Sequence, residues 1–135
     1  MLLCDLPDSV RIQSLAMDKI NIAQKFSQIH DHFKPRIAAE LNGQQVKLVK
    51  FKGEFVFHHH DNEDEMFLVV DGRFRMDFRD RQVWIEKGEF IVIPRGVEHR
   101  PVAEDEVSVI LFEPATTLNT GNVENPLTQH KLERV

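Results

Sequence analysis

Gly53-Glu54-Phe55-Val56-Phe57-His58-His59-His60-Asp61-Asn62-Glu63-Asp64-Glu65 carries more structural information than any other part of this chain. Read as a strand over Glu54–His60, it points His58 and His60 to one face and His59 to the other, because successive side chains alternate. The two imidazoles then stand about 7 Å apart by Cα, close enough to converge on one ion. Asp61-Asn62-Glu63-Asp64 makes a polar turn, and Glu65 opens a following strand, Glu65–Val70, that faces back toward the pair. Glu63 is a fallback ligand within that turn. His59 reads as a packing or solvent residue on the wrong face.

A second run, Gly88-Glu89-Phe90-Ile91-Val92-Ile93-Pro94-Arg95-Gly96-Val97-Glu98-His99, supplies a further ligand. An apolar strand, Glu89–Ile93, enters a Pro94-Arg95-Gly96 bend that aims His99 inward. The predicted metal ligands are therefore His58, His60, Glu65 and His99. Between the two runs, Arg73–Arg79 alternates cleanly, with Phe74, Met76 and Phe78 on an apolar face. Asp80-Arg81-Gln82 turns that strand back into Val83–Ile85. Upstream, Asn42-Gly43 is a two-residue hairpin turn leading into Gln44–Lys52. Downstream, Val107–Phe112 is the last apolar strand before Pro114. Ile22, Phe26, Ile29 and Phe33 recur at helical spacing, which predicts a short helix over Asn21–Phe33 that Pro35 stops. About eight short strands with so little helix predict an all-β barrel or two-sheet sandwich carrying a short N-terminal helix.

The two runs resemble the two motifs of the cupin superfamily, in the compact form of small single-domain microbial cupins. The first motif, G-x5-H-x-H-x(3,4)-E-x6-G, is met by Gly53, His58, His60, Glu65 and Gly72, with four residues instead of five before His58. The second, G-x5-P-x-G-x2-H-x3-N, is met by Gly88, Pro94, Gly96 and His99, with Ala103 in place of Asn. Neither departure touches a ligand. The resemblance spans Gly53 to Ala103 and implies a jelly-roll, or double-stranded β-helix, barrel. It sets a cupin domain over 21–114, after an N-terminal extension over 1–20 and before a polar C-terminal arm or tail over 115–135.

A formal charge of −5, with Lys and Arg scattered among carboxylates, excludes the basic stripe that a nucleic-acid binder needs. The single cysteine, Cys4, forms no internal disulfide and favours a reducing compartment. MLLCDLPD lacks the basic region and apolar run of a lipoprotein signal. No apolar stretch approaches the roughly 20 residues of a membrane span. These features predict a cytoplasmic protein that contacts neither membrane nor nucleic acid. Jelly rolls leave edge strands to be covered, which predicts a homodimer with the N-terminal helix as the covering element.

Imidazoles and a carboxylate without thiolate suit one divalent ion, Fe(II), Mn(II), Ni(II), Cu(II) or Zn(II), and not an iron–sulfur site. Four protein ligands on an octahedral ion leave two positions for water or substrate. By alternation, Val56, Phe67 and Val69 point inward, and Phe74, Met76 and Phe78 complete an apolar wall around a small-molecule ligand. Arg95 and Arg100 flank the bend and are candidates to pair with an anionic substrate. The leading expectation is a metal-dependent, isomerase-like enzyme acting on a sugar, sugar phosphate or oxo-acid. An iron-dependent dioxygenase and a non-catalytic metabolite-binding module are the alternatives. With no Tyr in the chain, the Ser-His-Tyr group that thiol dioxygenases of this fold share is missing. Proton transfer would need a second acid or base beside the metal, and no residue of the sequence singles itself out. His30, His32 and His130, outside both motifs, read as surface residues.

Overall fold

Pro101 sets where the regular sheet gives way to the histidine run. The computed structural model describes residues 17–135, and the expected strand over Glu54–His60 is not continuous in it. Strand β2 (Gln44–Glu54) pairs with β7 (Arg100–Pro114) as far as Glu54 opposite Val102. The next pair would need an N–H from Pro101, which has none. Phe55 N–H still donates to Pro101 O at 3.0 Å. Beyond it, a single antiparallel bridge, His58 to His99, holds the run.

The remaining strands are β1 (Arg36–Leu41), β3 (Glu65–Asp71), β4 (Arg73–Asp77), β5 (Gln82–Glu86) and β6 (Phe90–Ile93). All strand pairs are antiparallel, in the order β1-β2-β7-β3-β6, with β4 pairing both β5 and β7. β7 is the pivot. Its Ser108–Phe112 segment pairs with β3, and its Arg100–Val102 segment pairs with β4. One long strand shared in this way curls the sheet into the expected all-β jelly roll. β1 escaped the sequence reading because Arg36-Ile37-Ala38-Ala39-Glu40-Leu41 shows no clean alternation, and none of it is fully buried.

The interior is an aromatic pile. Phe33 stacks on Phe51 and Phe55 at centroid distances of 5.2 and 5.0 Å, and Phe74 meets Phe51 edge-on at 5.4 Å. The single helix among the described residues, α1 (Ile22–Phe26), is shorter than its apolar spacing predicts. Asn21 caps it, accepting the Gln24 N–H at 3.0 Å. The predicted apolar stripe is divided between two cores. Phe26 and Ile29 pack with Leu48 and Ile110 on the outer face of the sheet, while Phe33, at φ 59°, enters the barrel. The helix thus covers a face of its own sheet and not an edge strand.

Residues 115–135 form an arm that returns to the barrel. Leu127 packs against the main core and Val135 against the outer cluster, where its N–H donates to Ile37 O at 3.0 Å. The expectations for residues 1–16 lie outside the described residues. Among the described residues, no helix is long and apolar enough to cross a membrane.

Candidate metal centre

The His58–His99 bridge brings the two sequence runs together. His58 N–H donates to His99 O at 3.1 Å, and His99 N–H returns to His58 O at 2.9 Å. His60 follows on the same inward face, and Glu65 is the first residue of β3. All four side chains are buried, and one ligand atom from each lies within 4.8 Å of the others. His59 points outward, its Nε2 lying 3.0 Å from Asp61 Oδ1. Glu63 accepts the Thr116 hydroxyl at 3.1 Å and is not part of the cluster. His30 is exposed, while His32 and His130 pair with Glu106 and Glu124.

Backbone carbonyls orient two of the rings. His58 Nδ1 lies 2.9 Å from Val56 O, and His99 Nδ1 lies 2.8 Å from Val97 O. A carbonyl can only accept, so each Nδ1 carries the hydrogen and turns its ring's Nε2 to the centre. His99 Nε2 stands 3.1 Å from Glu65 Oε1, and His60 Nε2 stands 3.5 Å from the same oxygen. His60 Nε2 is buried without a hydrogen-bond partner. Lone pairs facing one another this closely repel unless a positive charge lies between them. A donor set of three imidazole nitrogens and one carboxylate oxygen fits a divalent transition ion.

Burial, with the His99 ring adding to it, pushes His58 from 6.5 down to about 4. In the metal-free protein the unfolded chain therefore takes up a proton at His58 at higher pH than the folded chain does. This contribution is intact above about pH 6.5 and is lost as pH falls toward about 4. Chemical denaturation in chelator should show wild type losing about 2–4 kcal/mol more than His58→Gln across that window. Parallel losses in the two proteins would contradict a neutral, buried His58.

Two charged residues beside the cluster were not singled out from sequence. Lys47 Nζ donates to Glu113 Oε1 at 2.7 Å, and both side chains are sealed from solvent. Where β7 and β3 lie side by side, Glu113 and Glu65 stand next to each other on the buried inner face. Burial, with the charge of Glu65 adding to it, pushes Glu113 well above the usual carboxylate range. Burial also works to raise Glu65, but the neighbouring Glu113 carboxyl and the His60 and His99 rings hold it well below its ordinary value. The signal that could have found the pair is alternation itself. Lys47 shares the inward register of Val49 and Phe51, and Glu113 that of Leu111 and Val109.

A cavity of about 30 Å³ ends on His58 and Glu65 and is walled by Phe33, Phe51, Phe55 and Phe67. That is room for about one water. Of the expected pocket residues, only Phe67 lines this cavity. Met76 is sealed in the core, and Val56 is half-buried against it. Phe78 borders a separate outer groove of about 490 Å³ with Ile91, Ile93, Pro94 and Val97. Both arginines are engaged. Arg95 reaches Asp64 with its backbone N–H at 2.9 Å and its Nε at 3.4 Å. Arg100 pairs with Asp77 at 2.8 Å and Glu54 at 2.9 Å, and lies over the Phe57 ring.

The C-terminal arm straps the histidine run from outside. Asn122 N–H donates to His59 O at 3.1 Å, and Asn122 Oδ1 accepts the His59 N–H at 2.9 Å. Asn119 of the same arm borders the cavity.

Comparison with known proteins agrees with this architecture. The family model for the cupin domain matches residues 45–113. The uncharacterized Bacillus subtilis protein YdbB is 35% identical over 80 residues, which cover 58% of this chain and 68% of YdbB. An acireductone dioxygenase of Phaeosphaeria nodorum is 34% identical over 56 residues, 37% of this chain and 32% of the enzyme, so this chain spans about a third of that relative. The crystal structure of a cupin-2 domain containing protein from Shewanella frigidimarina shares 44% identity at a TM-score of 0.70, covering 76% of this chain and 98% of that one. The matched span holds all four converging side chains, and the chain belongs to the cupin family.

Proposed function

We propose that this cupin binds one divalent transition-metal ion through His58, His60, Glu65 and His99 and acts as a metal-dependent dioxygenase on a small organic substrate. The observation that carries the reading is the convergence of three buried imidazoles and one buried carboxylate, a ligand atom from each within 4.8 Å of the others. When bound, such an ion offers open coordination positions and activates the molecules held there. The protein's own part is orientation and dryness. Val56 and Val97 fix two rings through their Nδ1 hydrogens. Phe33, Phe51, Phe55 and Phe67 exclude bulk water from the inner face of the site. A substrate larger than a water has to displace side chains of this lining, to which Asn119 and Pro35 also contribute. The segment similar to an acireductone dioxygenase supports the same class of chemistry.

The isomerase-like reading on a sugar, sugar phosphate or oxo-acid is the second one. Glu113 favours it, as the additional carboxyl that proton transfer requires. Against it, Arg100 is already paired with Asp77 and Glu54, and Arg95 is turned toward Asp64, its Nε 3.4 Å from the carboxylate.

Metal analysis followed by anaerobic loading with Fe(II) tests the choice. Oxygen uptake with enediols, catechols or hydroquinones, absent with the Zn(II)-loaded protein, is the expected result. Turnover of a sugar phosphate with Mn(II) or Zn(II) and no oxygen uptake would replace it with the isomerase. Binding without turnover across the panel would leave a non-catalytic module. The homodimer belongs to the same proposal. β6 is an outer strand of the sheet order, and its Phe90 and Val92 side chains are exposed. Sedimentation showing only monomer would remove it.

A further inference from the structure

A lysine and a carboxyl buried together have to be accounted for. Desolvating such groups is costly, and apolar residues of similar volume often serve the fold equally well. Lys47 and Glu113 form such a pair, each side chain only 2% exposed. The strand register suggests what they do. On one side of β7, Gln45 pairs with Glu113 and Lys47 with Leu111. On the other side, Met66 pairs with Phe112, which sets Glu65 next to Glu113. Lys47, Glu113 and Glu65 therefore form a row across β2, β7 and β3, all buried on the inner face. Lys47 holds Glu113 Oε1, while Glu113 Oε2 is buried without a hydrogen-bond partner. The Glu65 side chain lies across from it on the same buried face, in the adjacent strand.

We propose that Lys47 and Glu113 are positioning residues for the metal ligand Glu65. Lys47 fixes Glu113, and Glu113 fixes the Glu65 carboxyl with Oε1 toward His60 and His99. A free Glu side chain loses up to about 1.5–2 kcal/mol of rotamer entropy on ordering. Here that ordering is completed during folding, so it does not oppose capture of the ion. The inference rests on the metal reading above and concerns only how one ligand is held.

The test measures Ni(II) affinity of the full-length protein by calorimetry, with melting in EDTA as the independent measure of folding. Lys47→Met/Glu113→Leu removes both buried polar groups together, so its melting temperature in EDTA should stay near that of wild type. Its Ni(II) affinity should fall about 10- to 100-fold, the usual effect of losing a partner that orients a ligand. Glu113→Gln keeps an acceptor for Lys47 and a donor for Glu65, and should bind within about threefold of wild type. Should the apolar double variant not fold, Lys47→Met/Glu113→Gln replaces it, with an expected loss of about three- to tenfold. Wild-type affinity in either double variant would overturn the inference, because a purely structural pair leaves binding unchanged. A loss in Glu113→Gln as large as in the double variant would also overturn it. A wild-type protein that binds no Ni(II), Mn(II) or Fe(II) would instead remove the metal reading itself.

Discussion

His99→Ala should abolish stoichiometric binding of a divalent ion and lower the melting temperature of the ion-saturated protein by about 10 °C. His99 is fully buried, and its Nε2 is the nitrogen nearest to Glu65, at 3.1 Å. An ion present at a hundred times its dissociation constant adds about 2.7 kcal/mol to the folded state. Spread over the unfolding entropy of a domain of this length, that is about 10 °C. The same comparison in EDTA separates the lost ion from the lost side chain. His58→Ala should behave likewise, whereas His59→Ala should keep the metal, because its ring faces Asp61 on the outside. Retention in His58→Ala with loss in His59→Ala would reverse the assigned faces and remove the site.

Gly121→Ala should destabilise the protein by about 2–4 kcal/mol, through backbone strain and overpacking together. Gly121 sits at φ +54°, and a Cβ there would lie 2.1 Å from His59 O and 3.2 Å from His58 Cδ2. The obstruction is backbone, not the end of a flexible chain, so the arm must retreat. Its retreat breaks both hydrogen bonds between Asn122 and His59 and loosens the run that carries His58. A weaker ion affinity should therefore accompany the lower melting temperature. Asn122→Ala leaves the backbone bond in place and should cost only about 1 kcal/mol. If Gly121→Ala melts within about 2 °C of wild type, the arm is not the strap described.

The contrast between Phe55–Asp64 and residues 115–135 shows what kind of information each level holds. In the first segment the inward placement of His58 and His60 follows from alternation, and it survives even though Pro101 interrupts the ladder. In the second, nothing in a polar run of Thr, Asn and Gly announces a strap. Its function depends on a glycine passing close to a carbonyl about sixty residues earlier in the chain. The helix lies between these cases. Its spacing of apolar residues is real, but Phe33 belongs to a different core from Phe26 and Ile29. Periodicity records that a side chain is buried and not which surface buries it.

By itself the sequence determined the barrel, the turns and the four side chains that meet, because strand alternation and turn chemistry act over a few residues. Only the tertiary structure decided the partners of those side chains. Arg95 and Arg100 look free in sequence and are paired in space, and Lys47 and Glu113 look ordinary and are sealed together beside Glu65. Pairing depends on which strands lie side by side. That order, β2-β7-β3, joins segments far apart along the chain.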